Sequence, residues 1–180
     1  MRRFRFAATL LTALPLAACV HSHSSDIAVD STYHGNIQRL FIYGTPDQGN
    51  LPSMRKTYDD AVARNFGTCR ITVQIMRREN FDENAQDRLD VAASAFHADA
   101  MLITSPLSVA QDNTVLRQQA AFGNSLYVIS AKRFVWRNRQ SLYTRYAPGT
   151  NIGKIYADTL FNKMASDGVL GPDCPPLSKS

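Results

Sequence analysis

Residues 69–76 read CRITVQIM and give the clearest secondary-structure pattern in the chain. Apolar side chains at Cys69, Ile71, Val73 and Ile75 alternate with polar ones, and this period of two is typical of a half-buried strand. Such a strand needs a second layer against its apolar face. The segments on either side of it should therefore supply helices.

Helical patterns flank this strand on both sides. Before it, apolar residues recur at helical spacing over 52–66, with Pro52 suited to the first turn and Gly67 to the end. After it, Asp82 can cap a second helix. The apolar face of that helix consists of Ala85, Leu89, Ala92, Ala93 and Phe96.

Further strands are predicted before the first helix and after the second. Residues 37–43 form a predicted first strand, and 99–105 contain the short apolar run of a central strand. The second half of the chain changes to short strands, with turns predicted at Asn113 and Gly123-Asn124. These strands are predicted at 106–111, 115–122, 126–132, 134–139 and 142–146. A last helix begins near Thr150 or Asn151 and ends at Gly168.

The predicted order is β-α-β-α-β, then antiparallel strands, then a C-terminal helix. This order favours an α/β (α+β) fold, a two-layer sandwich whose helices cover one face of a mixed sheet, with right-handed crossovers. We expect a single domain over 37–171 and an irregular tail over 172–180.

The N-terminus has the layout of a bacterial secretory signal. Arginines at positions 2, 3 and 5 precede the apolar stretch 6–16, which is shorter than the ~20 residues that span a bilayer. Residues 16–19, LAAC, resemble a lipobox. That resemblance implies that 1–18 is a signal peptide, that Cys19 carries the lipid, palmitate included, and that the protein is an envelope lipoprotein. Val20, where an aspartate would favour the inner membrane, indicates the periplasmic face of the outer membrane.

Residues 19–36 are polar and predict a flexible tether between the lipid and the domain. His21 and His23 lie on it, but two ligands on a mobile segment make a poor metal site, so no metal is predicted. If the signal peptide is removed, the formal net charge falls from +5 to +2, which gives no reason to expect nucleic acid as a partner.

Two cysteines remain once Cys19 is lipidated. An oxidising periplasm allows a disulfide between Cys69 and Cys174. Alternatively, Cys69 is a small buried core residue, since it lies in phase with the apolar face of its strand. Both interpretations are open at the level of sequence.

Motifs of catalysis are absent from the sequence, including Gly-x-Ser-x-Gly, the P-loop, His-Glu-x-x-His and Cys-x-x-Cys. We therefore expect neither an enzyme nor a cofactor. The best candidate for a binding patch lies in the last predicted hairpin. Its residues are Arg133, Trp136, Arg137, Arg139 and Tyr143.

Strand alternation would place Phe134 and Trp136 on one face of that hairpin and the three arginines on the other. Exposed arginines could bind anionic glycan, phospholipid headgroups or a protein. The alternative is a hairpin with core aromatics and solvated arginines.

Two further stretches carry a family resemblance. Val135-Trp136-Arg137 and the end of the last helix, from Leu160 through 167–170 (DGVL), resemble small outer-membrane lipoproteins of uncharacterised type. Their domain is similar to the curli-secretion lipoprotein and to the TolB N-terminal domain. The resemblance implies a non-catalytic role in export or envelope assembly. Some members oligomerise, which makes a homo-oligomer compatible with it.

Two functions follow as hypotheses. The first is a non-catalytic, membrane-tethered accessory or assembly factor that binds a protein partner in the periplasm. The second is a periplasmic binding module for peptidoglycan or a secreted polysaccharide, which would use Trp136, Tyr143 and the arginines.

Overall fold

The computed structural model describes residues 20–46, 52–78, 85–112, 117–145 and 152–178. Within them, six strands form one mixed sheet in the order β1-β6-β5-β4-β2-β3, with three helices. The predicted fold class is confirmed. The strands are β1 (Val20–Val29), β2 (Arg39–Tyr43), β3 (Thr72–Met76), β4 (Ala100–Asp112), β5 (Arg117–Val128) and β6 (Arg133–Arg145). The helices are α1 (Pro52–Gly67), α2 (Ala85–Ala95) and α3 (Ile152–Ser166).

The parallel part of the sheet has β2 between β3 and β4. The chain therefore crosses from β2 to β3 in one direction and from β3 to β4 in the other. Right-handed crossovers in opposite directions place their helices on opposite faces of a sheet. Leu40 and Ile42 accordingly pack in the core cluster with α1 and α3, whereas Phe41 and Tyr43 pack with α2. The expectation of helices on one face holds for α1 and α3, while α2 covers the other.

The main core lies between the sheet and the pair α1 and α3. Phe66 of α1 meets Phe161 of α3 edge to face, with ring centroids 5.2 Å apart. The helices approach closely at Gly153, where a Cβ atom would lie 2.2 Å from the carbonyl oxygen of Met54. Only glycine allows this contact, so the sequence of α3 sets the spacing of the two helices.

The antiparallel part consists of fewer and longer strands than predicted. Residues 99–105 and 106–111 belong to the single strand β4, and the other four predicted pieces merge into β5 and β6. Gly123-Asn124 lies inside β5 and is not a turn, because the Asn124 amide finds buried hydrogen-bond partners there. The turn between β5 and β6 lies at 129–132, where Lys132 adopts a positive φ of 51°.

Proline interrupts β4 without ending it. The register of β4 on β5 shifts between Pro106 and Ser108, which leaves Leu107 as an extra residue. Because proline cannot donate to the ladder, such a shift lets the strand continue past it. The predictions at Asn113 and Asp82 and the whole lipobox lie outside the described residues.

The tether prediction is wrong for β1. Val20–Val29 pairs antiparallel with β6, from Val20 opposite Thr144 to Val29 opposite Trp136. The segment is polar because its inward-facing serines meet polar partners: Gln140 donates to the Ser22 hydroxyl at 3.0 Å, and Asn138 donates to that of Ser24. Composition suggested a linker, whereas the chain in fact forms the edge strand of the sheet.

Residues 172–178, the described part of the C-terminal tail, form no helix or strand but are fixed to the domain. Cys69 and Cys174 form a disulfide with their Cα atoms 5.1 Å apart. Further along, the backbone N–H of Leu177 donates to the Asn162 side chain at 2.7 Å. None of the helices in the described ranges is long and apolar enough to cross a membrane.

Candidate functional site

One face of the sheet is largely uncovered. We call the side of β4, β5, β6 and β1 opposite α3 the outer face. The cluster around α2 reaches no further across it than Met101 and Ile103 of β4. Beyond that point large side chains are exposed: Leu107 by 52%, Phe134 by 42% and Tyr143 by 44%. This face also carries Arg137, Arg139 and Tyr143 of the predicted patch, so it is the candidate site.

A bulge at Val135 determines which side chains of β6 reach the outer face. Leu126 of β5 pairs with Trp136, but the next residue, Tyr127, pairs with Phe134. Val135 is therefore the extra residue, and both Val135 and Trp136 are buried. The prediction that Phe134 and Trp136 share a face is wrong, because a bulge shifts the alternation by one residue.

Trp136 does not belong to the binding patch, which corrects the sequence prediction. It is 1% exposed, and its Nε1–H donates to Oδ2 of Asp167 at 2.6 Å. Lys163 in turn forms an ion pair with Asp167 at 2.6 Å. The ring and its polar atom thus serve to join β6 to the end of α3.

Arg133 is engaged at the start of β6. Its guanidinium forms an ion pair with Asp30 at 2.7 Å and donates to the Thr32 hydroxyl at 3.1 Å. Hydrogen bonds from the side chain and the backbone of Thr32, with a smaller contribution from Arg133, lower the pKa of Asp30 below its usual value of 3.8. Arg133 therefore stabilises the turn after β1 and is less available to a ligand than the other two arginines.

Arg137 lies on the outer face with its charge over an aromatic ring. The guanidinium carbon is 5.0 Å from the Phe134 ring centroid, and Phe134 meets Tyr127 edge to face at 5.3 Å. Stacking of this kind fixes the direction of a guanidinium while leaving its N–H donors open to a partner.

Arg139 and Tyr143 continue the outer face along β6. Arg139 is exposed and lies in register between Gly123 of β5 and Ser25 of β1, so its cross-strand neighbours are small. The Tyr143 hydroxyl accepts a hydrogen bond from Gln119 at 3.3 Å. The outer patch, as we use the term, consists of Phe134, Arg137, Arg139 and Tyr143.

The opposite side of the same strands holds a buried polar network that the sequence analysis missed. The Asn124 Oδ1 accepts from Thr104 at 2.8 Å and from the Tyr156 hydroxyl at 2.9 Å, and its Nδ2 donates to Asn138 at 3.4 Å. Burial raises the pKa of Tyr156, which keeps its hydroxyl a donor. Gln140 donates to the Tyr156 carbonyl at 3.0 Å.

A signal for this network is present in the sequence. Asn138 and Gln140 lie in phase with the buried Trp136 and Leu142 along β6. Two amides at core positions of a strand indicate partners on the neighbouring strands, because buried polar groups are almost always hydrogen-bonded. The network extends from β4 through β5 and β6 to β1, on the face of the sheet opposite the outer patch.

No group of three or more metal-ligating residues occurs within the described ranges. The outer patch itself offers cations, aromatic rings and a hydroxyl. Such a surface can bind by charge, stacking and apolar contact, and it shows no pairing of a nucleophile with a base that would indicate catalysis.

No protein-family model matches the sequence, and no curated protein matches it. Solved structures similar to the chain include the PelC dodecamer from Paraburkholderia phytofirmans, with a TM-score of 0.49, 11% identity, and coverage of 87% of this chain and all of that one. Lipoprotein GNA1162 from Neisseria meningitidis gives a TM-score of 0.43 and 12% identity over 71% of this chain and 98% of that one.

Protein XCC0632 from Xanthomonas campestris gives a TM-score of 0.36 and 13% identity, covering 82% of this chain and 90% of that one. With every TM-score below 0.5, these similarities carry no argument about partners or activity. The resemblance to the curli-secretion lipoprotein and to TolB stays a prediction.

Proposed function

We propose that the protein is a non-catalytic envelope lipoprotein, anchored at the periplasmic face of the outer membrane through Cys19, that binds a protein partner with its outer patch. The anchor is supported by the lipobox sequence at 16–19. The binding role is supported chiefly by one observation: the outer face keeps two aromatic side chains and two arginines exposed where a third layer of structure could have covered them.

The chemistry of the outer patch favours a protein partner that presents carboxylates beside apolar groups. Arginine and aromatic residues are enriched at protein interfaces and among the hot-spot residues that contribute most of the binding energy. Arg137 is already ordered over Phe134, which lowers the entropy lost when a partner carboxylate binds it. Tyr143 adds a large ring with a polar end.

The glycan hypothesis used Trp136 and Tyr143 together with the arginines. Because Trp136 is buried and donates to Asp167, it is not available for stacking. Tyr143 and Phe134 remain exposed, but two separate rings beside two arginines fit a protein surface better. We therefore propose protein binding, and glycan capture becomes an outcome of the test.

Crosslinking in envelopes followed by affinity capture of the full chain tests the proposal. The variant Arg137→Gln/Arg139→Gln removes two charges from the outer patch and should lose the crosslinked protein. The matched control, Lys56→Gln/Arg64→Gln, removes the same charge from exposed positions of α1 and should keep it. Equal capture by both variants, or capture of glycan in place of protein, would contradict the proposal.

A further inference from the structure

The uncovered part of the outer face has the width of one helix. On this face α2 packs over β2 and over Met101 and Ile103 of β4. Beyond them lie β5, β6 and β1, which span about 10 Å at about 4.8 Å between neighbouring strands. An α-helix with its side chains has a diameter of about 10–12 Å. The outer face therefore has room for one further helix beside α2.

We propose that the outer side of β5, β6 and β1, from Phe134 to Tyr143, docks an amphipathic helix of the protein partner that carries two acidic residues four positions apart. We call this surface the open strip. The proposal rests on the protein binding of the proposed function. It adds the secondary structure of the docking segment, the direction in which that segment lies and the spacing of its charges.

A helix can lie on a sheet face without leaving its backbone unpaired. The strands β5 and β6 already use their backbone N–H and C=O groups in the ladders with their neighbours on both sides. An extended segment laid over them would find no partner for its own backbone there, and an unpaired buried backbone group is costly. A helix satisfies these groups internally. The occupant of the open strip is therefore a helix.

Two arginines in the middle of the open strip are open to a carboxylate. Arg133 is paired with Asp30, but neither Arg137 nor Arg139 forms an ion pair with a described side chain, and both are exposed. They lie two residues apart on one face of β6, about 6.6 Å along the strand. Carboxylates at positions i and i+4 of a helix are about 6 Å apart along its axis. A helix that lies along β6 thus places one acidic residue beside each arginine.

Apolar side chains border the open strip. The exposed rings of Phe134 and Tyr143 lie at its two ends, and their partners on β5 are eight residues apart, which is about 26 Å. Exposed Leu107 lies over Gly123, where a Cβ would be 3.4 Å from its Cδ2 atom. Gly123 and Ser125 between the rings are small, so a helix can approach the strands. A helix of about 18 residues, apolar at both ends, reaches from one ring to the other.

The experiment uses the full chain in the bacterial envelope, with the photoreactive amino acid p-benzoylphenylalanine in place of Phe134 in one variant and of Tyr143 in another. After irradiation, mass spectrometry of the crosslinked peptides identifies the labelled residue of the partner. Both variants should label one partner, at residues about 18 apart in its sequence, because a helix rises 1.5 Å per residue. An extended segment would be labelled at residues about 8 apart.

Charge reversal makes the test specific. Arg137→Glu/Arg139→Glu should lower the yield of the crosslink from position 143 at least about tenfold, because like charges would then face each other. Replacing the two acidic residues of the labelled helix with arginine should restore the yield. Lys56→Glu/Arg64→Glu makes the same change in net charge at exposed positions of α1, so it serves as the control and should leave the yield unchanged.

The outcomes separate the two proposals. A crosslink from one position alone, labelled residues about 8 apart or on two separate segments, or no rescue by the reversed charges would overturn the docked helix and leave protein binding intact. The absence of a protein crosslink from both positions would overturn both proposals. Labelled residues about 18 apart in one partner, with rescue of the charge reversal, support both.

Discussion

The amide of Asn138 adds side-chain hydrogen bonds to the backbone pairing that holds β1 in the sheet. Its Nδ2 donates to the Ser24 hydroxyl and to the Ser25 carbonyl at 2.9 Å, and its Oδ1 accepts from Asn124 at 3.4 Å. Asn138→Leu keeps the size of the side chain and removes all three bonds. Loss of the two hydrogen bonds to β1 lowers the free energy of unfolding by about 1 kcal/mol each. The Nδ2 of the fully buried Asn124 also loses its acceptor, which costs about 1–3 kcal/mol more.

The expected loss in the free energy of unfolding is therefore about 3–5 kcal/mol, less whatever the leucine recovers from burial. Urea denaturation followed by circular dichroism measures it. Hydrogen exchange measures where the loss occurs: the amides of β1 should exchange about 100-fold faster, because about 3 kcal/mol corresponds to two powers of ten.

Ser141→Ala is the matched control, since position 141 lies three residues further along β6 and on the opposite face. It should change the free energy of unfolding by less than about 0.5 kcal/mol. If Asn138→Leu left both the unfolding transition and the exchange of β1 as in the wild type, the account of β1 as a strand held by buried amides would be refuted.

Three further changes test other parts of the fold. Replacing Cys69 and Cys174 with serine removes a disulfide between residues 105 apart in sequence, which should lower the free energy of unfolding by about 4–5 kcal/mol, measured by urea denaturation. An unchanged midpoint would mean that the disulfide does not form in the protein. Gly153→Ala places a Cβ 2.2 Å from the Met54 carbonyl oxygen. The resulting steric clash should outweigh the gain in helix propensity and lower the free energy of unfolding by about 1–2 kcal/mol, which thermal denaturation would detect as a lower Tm. Hydrogen bonds from Thr32, with a smaller contribution from Arg133, lower the pKa of Asp30, and the stability this adds is fully present above pH 3.8 and is lost as the pH falls through the pKa of the folded state. Asp30→Asn should flatten that part of the pH profile of Tm, and a profile identical to wild type would exclude the Asp30 carboxylate as its source.

Local patterns predicted the elements of the first half. The alternation over 69–76, the helical spacing over 52–66 and the apolar run at 100–103 each depend on a few neighbouring residues, and the structure places β3, α1 and β4 there. The mixed α/β class followed from their order. The face covered by α2 did not follow, because it depends on the order of strands in the sheet, which is set by contacts distant in sequence.

Long-range partners account for the errors in the second half and at β1. Gly123-Asn124 has the composition of a turn, yet Asn124 bonds to three buried groups on β4, β6 and α3. The serines of β1 suggested a linker, but in the structure their hydroxyls accept hydrogen bonds from Asn138 and Gln140. The hydrogen-bond partners of these polar side chains are distant in sequence, so a local sequence pattern does not reveal them.

The candidate patch was predicted in part. Arg137, Arg139 and Tyr143 lie on one exposed face, as alternation beyond Trp136 requires. Phe134 was placed on the wrong face because one extra residue, Val135, reverses the faces on its two sides. Trp136 lies opposite Arg137 and Arg139 as predicted, but it is buried and so was wrongly included in the patch. Bulges of this kind leave no pattern in a single sequence, since the residue concerned is an ordinary apolar one.

Photo-crosslinking in living cells tests whether the outer patch binds a protein partner. A photoreactive amino acid at position 143 lies on the outer patch, whereas the same amino acid at position 60 lies on exposed α1. We expect a discrete protein crosslink from position 143 in the membrane fraction, absent from position 60 and lost when Arg137 and Arg139 are replaced with glutamine. Crosslinks of equal yield from both positions, or none from position 143, would contradict it.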